Sequence, residues 1–351
     1  MTRATRALAA IAIVALLGGA CTRMSQAGSS NAQPADLYGA APSLADVREL
    51  LGDVNWWPGP PSFGVRPLDV ASMPFSEKFS ITQPFVHFGS AETFVVELSM
   101  WSATSTASSR MTTVQSAFGT SVTGPKVGDQ VLYYGSQTSG AAPYSTLTVV
   151  RVGQMVATIS LNLKDGFPKV AQLGRIAARV ASRLKDVISG KLHSSPLSSS
   201  DTQALPPADL DITPIGAARI SVEAAMVMLS VSSIDALAQT LRAQGVDDVL
   251  FGDYALNNDT HMEVRASLFS FLTGKDAMDW LNLFRGTYAV DQNGIAAFYD
   301  QAHGRYMFLF ASGSRGALII CRSTSSSEAA SRACEAPLSR VIAAWKLSLG
   351  A

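Results

Sequence analysis

Val96-Glu97-Leu98-Ser99-Met100-Trp101-Ser102 and Val264-Arg265-Ala266-Ser267-Leu268-Phe269-Ser270 are the same kind of segment, one in each half of the chain. Each alternates apolar with polar side chains, as a strand with one buried face does. Each runs into a helical pattern stopped by a glycine, at Phe118-Gly119 and at Phe284-Arg285-Gly286. Further on, strand pairs starting at Tyr144 and Tyr306 follow in the same order, and both halves close on a long helical pattern. Order and spacing agree better than identity does. The reading is α+β: two tandem, duplicated units, each an antiparallel sheet with one helix after its first long strand and another across it at the end. Two unrelated domains sharing an element order remain the alternative.

The element bounds follow from periodicity. In the first half, Ser43 to Leu51 predicts a short helix opened by a Ser43 and Asp46 capping box. Strands are expected at 94–101, 131–134, 144–152 and 155–163, with Gly153-Gln154 as a tight hairpin turn. Helices are expected at 107–118 and 168–188, the latter burying Val170, Leu173, Ile176, Ala177, Val180, Leu184 and Val187. The second half predicts helices at 232–244, 275–285 (Ala277, Met278, Leu281 and Phe284 inward) and 327–349, bent at Pro337. Its strands are expected at 250–256, 261–271, 295–299, 306–311 and 317–322.

Flanking these units are segments without periodicity. Arg3 and Arg6 precede an apolar run from Ala7 that ends Gly18-Gly19-Ala20-Cys21, the plan of an export signal whose apolar stretch is too short to span a bilayer. Residues 1–20 are read as the signal peptide. The small residues before Cys21 resemble a bacterial lipobox, with Gly18 where that motif usually has leucine; the resemblance implies an acylated Cys21 as the mature first residue. A plain signal peptide cut after Ala20 fits the same small residues. Residues 21–36 then form a polar tether, reaching roughly 20 Å if flexible. Residues 37–188 are assigned to the first domain, the Ser- and Pro-rich 189–216 to a linker, and 217–351 to the second domain.

With about 330 residues beyond the signal and 47% hydrophobic residues, two cores are affordable. Twenty-seven basic residues balance 27 acidic ones, so no global field draws the protein to nucleic acid. With Cys21 acylated, Cys321 and Cys334 are the remaining thiols. In an exported protein they are expected to form a disulfide, free buried cysteines being the alternative.

Val127-Gly128-Asp129-Gln130-Val131, the run from Leu147 to Ile159 with its Arg151-Val152-Gly153 turn, and the helix end Ala178 to Leu184 resemble the sensor-type domains of actinobacterial, especially mycobacterial, cell-envelope lipoproteins and receptor-kinase ectodomains. In the second half Ser312-Gly313-Ser314-Arg315-Gly316 stands where that turn is expected. The resemblance implies a fold similar in outline to PsbP-like domains and a role without catalysis.

No Gly-x-Ser-x-Gly, phosphate loop or dinucleotide fingerprint occurs. His87, His193, His261 and His303 fall in separate segments and read as solvated turn residues, and Asp253, Asn257, Asn258 and Asp259 lack EF-hand spacing. No catalytic residue, metal or cofactor is therefore assigned. Two features offer a binding surface. Trp56 and Trp57, in the proline-rich loop 55–61, can stack on a glycan or partner, or else cover one end of a core. Arg175, Arg179 and Arg183 recur every fourth residue opposite the apolar stripe of helix 168–188, as a solvated face or as a dock for anionic lipid or an acidic partner. The expected function is a non-catalytic, membrane-anchored extracytoplasmic lipoprotein binding a partner protein, glycan or lipid of the envelope. The alternatives are a lipid or glycolipid carrier with an apolar cavity, and an enzyme of unrecognised type.

Overall fold

The computed structural model describes residues 36–64, 77–137, 144–193, 197–208, 211–257, 259–323 and 328–350. Residues 1–20 and Cys21 lie outside the described residues. The chain order is α1 (Asp36–Ala40), α2 (Leu44–Leu51), β1 (Trp56–Pro58), β2 (Ser62–Phe63), β3 (Glu77–His87), β4 (Thr93–Trp101), α3 (Thr104–Phe118), β5 (Gln130–Gln137), β6 (Tyr144–Val152), β7 (Met155–Leu163) and α4 (Val170–Ile188). There follow α5 (Ser199–Ala204), β8 (Ile212–Ser221), α6 (Val222–Met228), α7 (Ile234–Ala243), β9 (Asp248–Leu256), β10 (Asp259–Ser270), α8 (Gly274–Arg285), β11 (Ile295–Asp300), β12 (Arg305–Ser312), β13 (Arg315–Ser323), α9 (Glu328–Arg332) and α10 (Glu335–Gly350).

Two antiparallel sheets result, with helices on both: an α+β fold of tandem sheet-plus-helix units. Sheet 1 is ordered β1-β3-β4-β7-β6-β5, with β2 also on β3; sheet 2 is ordered β11-β12-β13-β10-β9-β8. Read from the opposite edge, sheet 1 runs β5-β6-β7-β4-β3-β1, so both sheets share one topology around their central strands β4 and β10. Both β6–β7 and β12–β13 turn on two residues, Gly153-Gln154 and Gly313-Ser314, with the glycines at φ 57° and 55°. The second residue of each keeps a negative φ, the II′ pattern that matches strand twist. The second half thus keeps the turn geometry where its sequence departs from the Arg-Val-Gly triplet.

Each closing helix lies on its sheet with its apolar stripe filled in. Val180 and Leu184 of α4, and Val341 and Trp345 of α10, are fully buried, as close-packed layers require. On the other faces, α3 covers Trp101, Val149 and Val156 with Met111 and Val114, and α8 covers Phe269 and Phe271 with Trp280. Cys321 of β13 is bonded to Cys334, just before α10, with Cα atoms 6.3 Å apart. One apolar cluster runs through both halves, joined where Phe63 of β2 meets Phe251 of β9 at 6.5 Å.

Several local expectations change. The 189–216 segment is structured in part: α5 and the start of β8 fall within it. It is tied to the second unit by Trp345 Nε1 of α10, which donates to Ala204 O, and by the Tyr254 hydroxyl of β9, which donates to Pro206 O. Strands β3 and β8 and helix α6 had no clear periodic signal. Met278 points outward, and Trp280 takes the buried place. The last helix does not bend at Pro337. It breaks before Glu335, leaving Pro337 in a first turn where a missing N–H costs no intrahelical bond.

Candidate binding site at the junction of the halves

The two predicted binding surfaces are largely spent on structure. Trp56 and Trp57 are 2% and 6% exposed because the proline-rich loop folds into edge strand β1 against β3. Trp56 packs edge-on to His87, and the Arg48 guanidinium lies 4.3 Å over the Trp57 ring. Neither tryptophan offers a stacking face. His87 is itself held, with Nε2 2.9 Å from Asp53 Oδ2, not solvated in a turn.

The arginine stripe divides. Arg179 and Arg183 reach across to Asp46, their Nη1 and Nη2 donating to its carboxylate at 2.7 and 2.8 Å. Arg183 Nη1 also donates to the carbonyls of Gly39 and Ala41. They clamp α1 and α2 onto α4, because Asp46, buried in the capping box with Ser43, needs cations beside it. Burial pushes the Asp46 carboxyl up, but the Ser43 bonds and the charges of Arg183 and Arg179 outweigh it and hold it below the usual carboxylate range. Arg175 alone of the three is exposed.

The halves meet where β2 lies beside β8. Phe63 N donates to Asp253 Oδ2 at 3.0 Å, and Arg265 Nη2 donates to Ser62 Oγ at 3.0 Å. Next to this seam is a cavity of about 250 Å³, lined by Pro60 from the first half and by Met228, Ser230, Glu263, Arg265, His303, Arg305, Ile320 and Arg322 from the second. Its cations come from three neighbouring strands, Arg265 on β10, Arg322 on β13 and Arg305 on β12. Arg305 is buried. Its Nε donates to Asp300 Oδ2 at 2.8 Å, its Nη2 to Leu229 O at 2.9 Å and its Nη1 to Met228 O, so it neutralises the C-terminal end of α6. Burial pulls its pKa down, and the Asp300 carboxylate opposes this. Ser230 stands at φ 58°, the only non-glycine with positive φ among the described residues, where α6 closes. Arg322 is 54% exposed and gives Nη2 to Glu263 Oε2 at 3.0 Å.

A second, open cleft of about 490 Å³ lies along the same seam, between α1, α2 and α6, lined by Tyr38, Leu44, Pro58, Phe85, Arg183 and Glu223 among others. Burial raises the Tyr38 phenol to about 12, so it stays protonated. Among the described residues, no group of three His, Cys, Asp or Glu side chains could hold a metal ion, and no helix is long and apolar enough to cross a membrane.

None of the junction arginines was singled out from sequence. The available signal was the strand alternation: Glu263, Arg265 and Ser267 occupy the face of β10 that carries Phe269 and Phe271 further along, an apolar face turned polar at one end.

No family model matches the chain, and no curated protein does. Among solved structures it is similar to the crystal structure of the extracellular domain of PknH from Mycobacterium tuberculosis. The match has a TM-score of 0.36 and 12% identity, covering 42% of this chain and 94% of that one. A likeness of that size carries no functional argument.

Proposed function

We propose that this chain is a membrane-tethered extracytoplasmic binding protein without catalytic activity, whose two halves hold an envelope molecule or partner protein at the seam between them. The observation that carries this reading is the seam cavity itself, which takes residues from both halves and concentrates three guanidiniums beside it. The export signal and lipobox-like Cys21 support the location, and the tight packing of α4 and α10 speaks against a lipid-filled space under either closing helix. For the carrier reading, the open cleft beside Tyr38 and Phe85 offers a partly apolar space.

Two measurements test the proposal. Cys21→Ser should move the protein from the membrane to the soluble fraction; a variant that stays membrane-bound points to an uncleaved anchor instead. The wild-type protein, purified from its native membrane, should release no stoichiometric lipid on unfolding in native mass spectrometry. A lipid released only on unfolding would replace the binder by a carrier.

A further inference from the structure

We propose that the open cleft beside Tyr38 holds a neutral sugar ring, bound through its hydroxyls by Gln83, Glu223 and Tyr38; this rests on reading the seam as the binding region. Charge is the first reason. One cation, Arg183, and one anion, Glu223, line the cleft. Arg183 gives Nη1 to Gly39 O and Ala41 O and Nη2 to Asp46, and Glu223 Oε1 accepts from Arg242 Nη2. Asp46 and Arg242 do not line the cleft. Each charge inside it is therefore matched from outside, and neither calls for a charged ligand.

A buried acceptor is the second reason. Gln83 of β3 lines the cleft and is 5% exposed. Its amide atoms are told apart by their partners, because Nε2 gives its protons to Gly59 O at 2.8 Å and Pro84 O at 3.0 Å. Oε1 is left without a partner among the described residues, and it is not sealed from solvent, so it opens to the cleft and calls for a donor. Glu223 Oε2 is a second acceptor. The Tyr38 hydroxyl, kept protonated by burial and without a partner among the described residues, is a donor. A sugar hydroxyl both donates and accepts, and a pyranose carries several around one ring, whereas an extended peptide turns successive N–H groups to opposite sides. Shape is the third reason. Half-buried Tyr38, Leu44 and Pro58 give the C–H face of a ring an apolar wall, and the volume of about 490 Å³ falls within the ~300–1,000 Å³ of small-molecule sites. Tyr38 and Gln83 belong to the first half and Glu223 to the second, so the ring bridges the two. A glycan and the headgroup of a neutral glycolipid present the same ring.

The full chain should be titrated by saturation-transfer NMR with the methyl glycosides of glucose, mannose and galactose, with octyl glucoside below its micelle concentration, and with N-acetyl-trialanine amide. At least one methyl glycoside should bind, and the peptide should not. Tyr38→Phe removes a hydroxyl that holds nothing in the protein, so it should leave the melting temperature unchanged and weaken sugar binding roughly fivefold, the value of one hydrogen bond. Glu223→Ala, which frees only the 43% exposed Arg242, should weaken it by a similar factor. Gln83 is kept, because its Nε2 bonds are structural. Octyl glucoside outperforming the methyl glycosides, with the same sensitivity to Tyr38→Phe, identifies a glycolipid headgroup, and an equal response a glycan. Silence of all three methyl glycosides, binding of the peptide in their place, or sugar binding indifferent to both variants overturns the proposal. The seam as a binding region is judged separately, by what the native-membrane preparation retains.

Discussion

Asp46→Ala removes the acceptor on which α1, α2 and α4 converge, and its cost can be worked from the contacts. Asp46 Oδ2 accepts from Ser43 N at 2.9 Å and from Ser43 Oγ at 2.8 Å, a capping-box element worth about 1 kcal/mol. Arg183, 27% exposed, contributes a charge-assisted bond of about 1.5 kcal/mol. Arg179, 41% exposed, is screened by solvent and adds under about 1 kcal/mol. The expected loss is roughly 3 kcal/mol at neutral pH, and about half of that for Asp46→Asn, which keeps an acceptor without the charge. Because the folded carboxyl is held below its usual range, its contribution is fully present above the unfolded pKa of about 3.9. It is lost as pH falls through the folded value. Urea unfolding of wild type and variant should therefore show a deficit that shrinks between pH 7 and pH 3. A double-mutant cycle with Arg183→Ala should show coupling of at least about 1 kcal/mol. A deficit under about 0.5 kcal/mol at pH 7, or one that is unchanged at pH 3, refutes the account of the clamp.

At Gly216 an added Cβ would press on Cβ and Cγ of Phe63, atoms close to the backbone that cannot swing away. Gly216→Ala should cost about 1–3 kcal/mol in a urea titration and loosen the seam, read as faster amide exchange at Phe63; an unchanged midpoint contradicts the packing described. Ser230→Gly relieves a left-handed residue and should stabilise by about 0.5–1 kcal/mol, once glycine's entropy cost is subtracted. A lower melting temperature for that variant means that the Ser230 Oγ contact with Arg305 matters more than the backbone. Replacing Cys321 and Cys334 by serine should cost about 3 kcal/mol in the chain-entropy model. The denatured, unreduced mature protein should titrate no thiol from that pair.

Local pattern was enough for the two-unit α+β plan. The hairpins 144–152 and 155–163, the central strands, and helices α3, α4, α7 and α8 all follow from side-chain period and turn residues, which act within a few positions of themselves. The pairing of Cys321 with Cys334 followed from compartment and elimination, with no geometry needed. Period gives an inward or outward direction for each side chain; it does not say what lies on the other side. That is why Trp56 and Trp57 could be placed in an apolar, proline-rich stretch and not under β3 and Arg48, and why Arg179 and Arg183 read as a solvated stripe until Asp46, more than 130 residues earlier, closed on them. Strand β3 was missed because Pro84 and mixed polar residues blur its alternation, and its pairing with β4 on one side and β1 and β2 on the other stabilises it there. The seam cavity needed the most tertiary information. Arg265, Arg305 and Arg322 lie on three separate strands, which the register of sheet 2 brings side by side, and Pro60 joins them from the other half only when β2 meets β8.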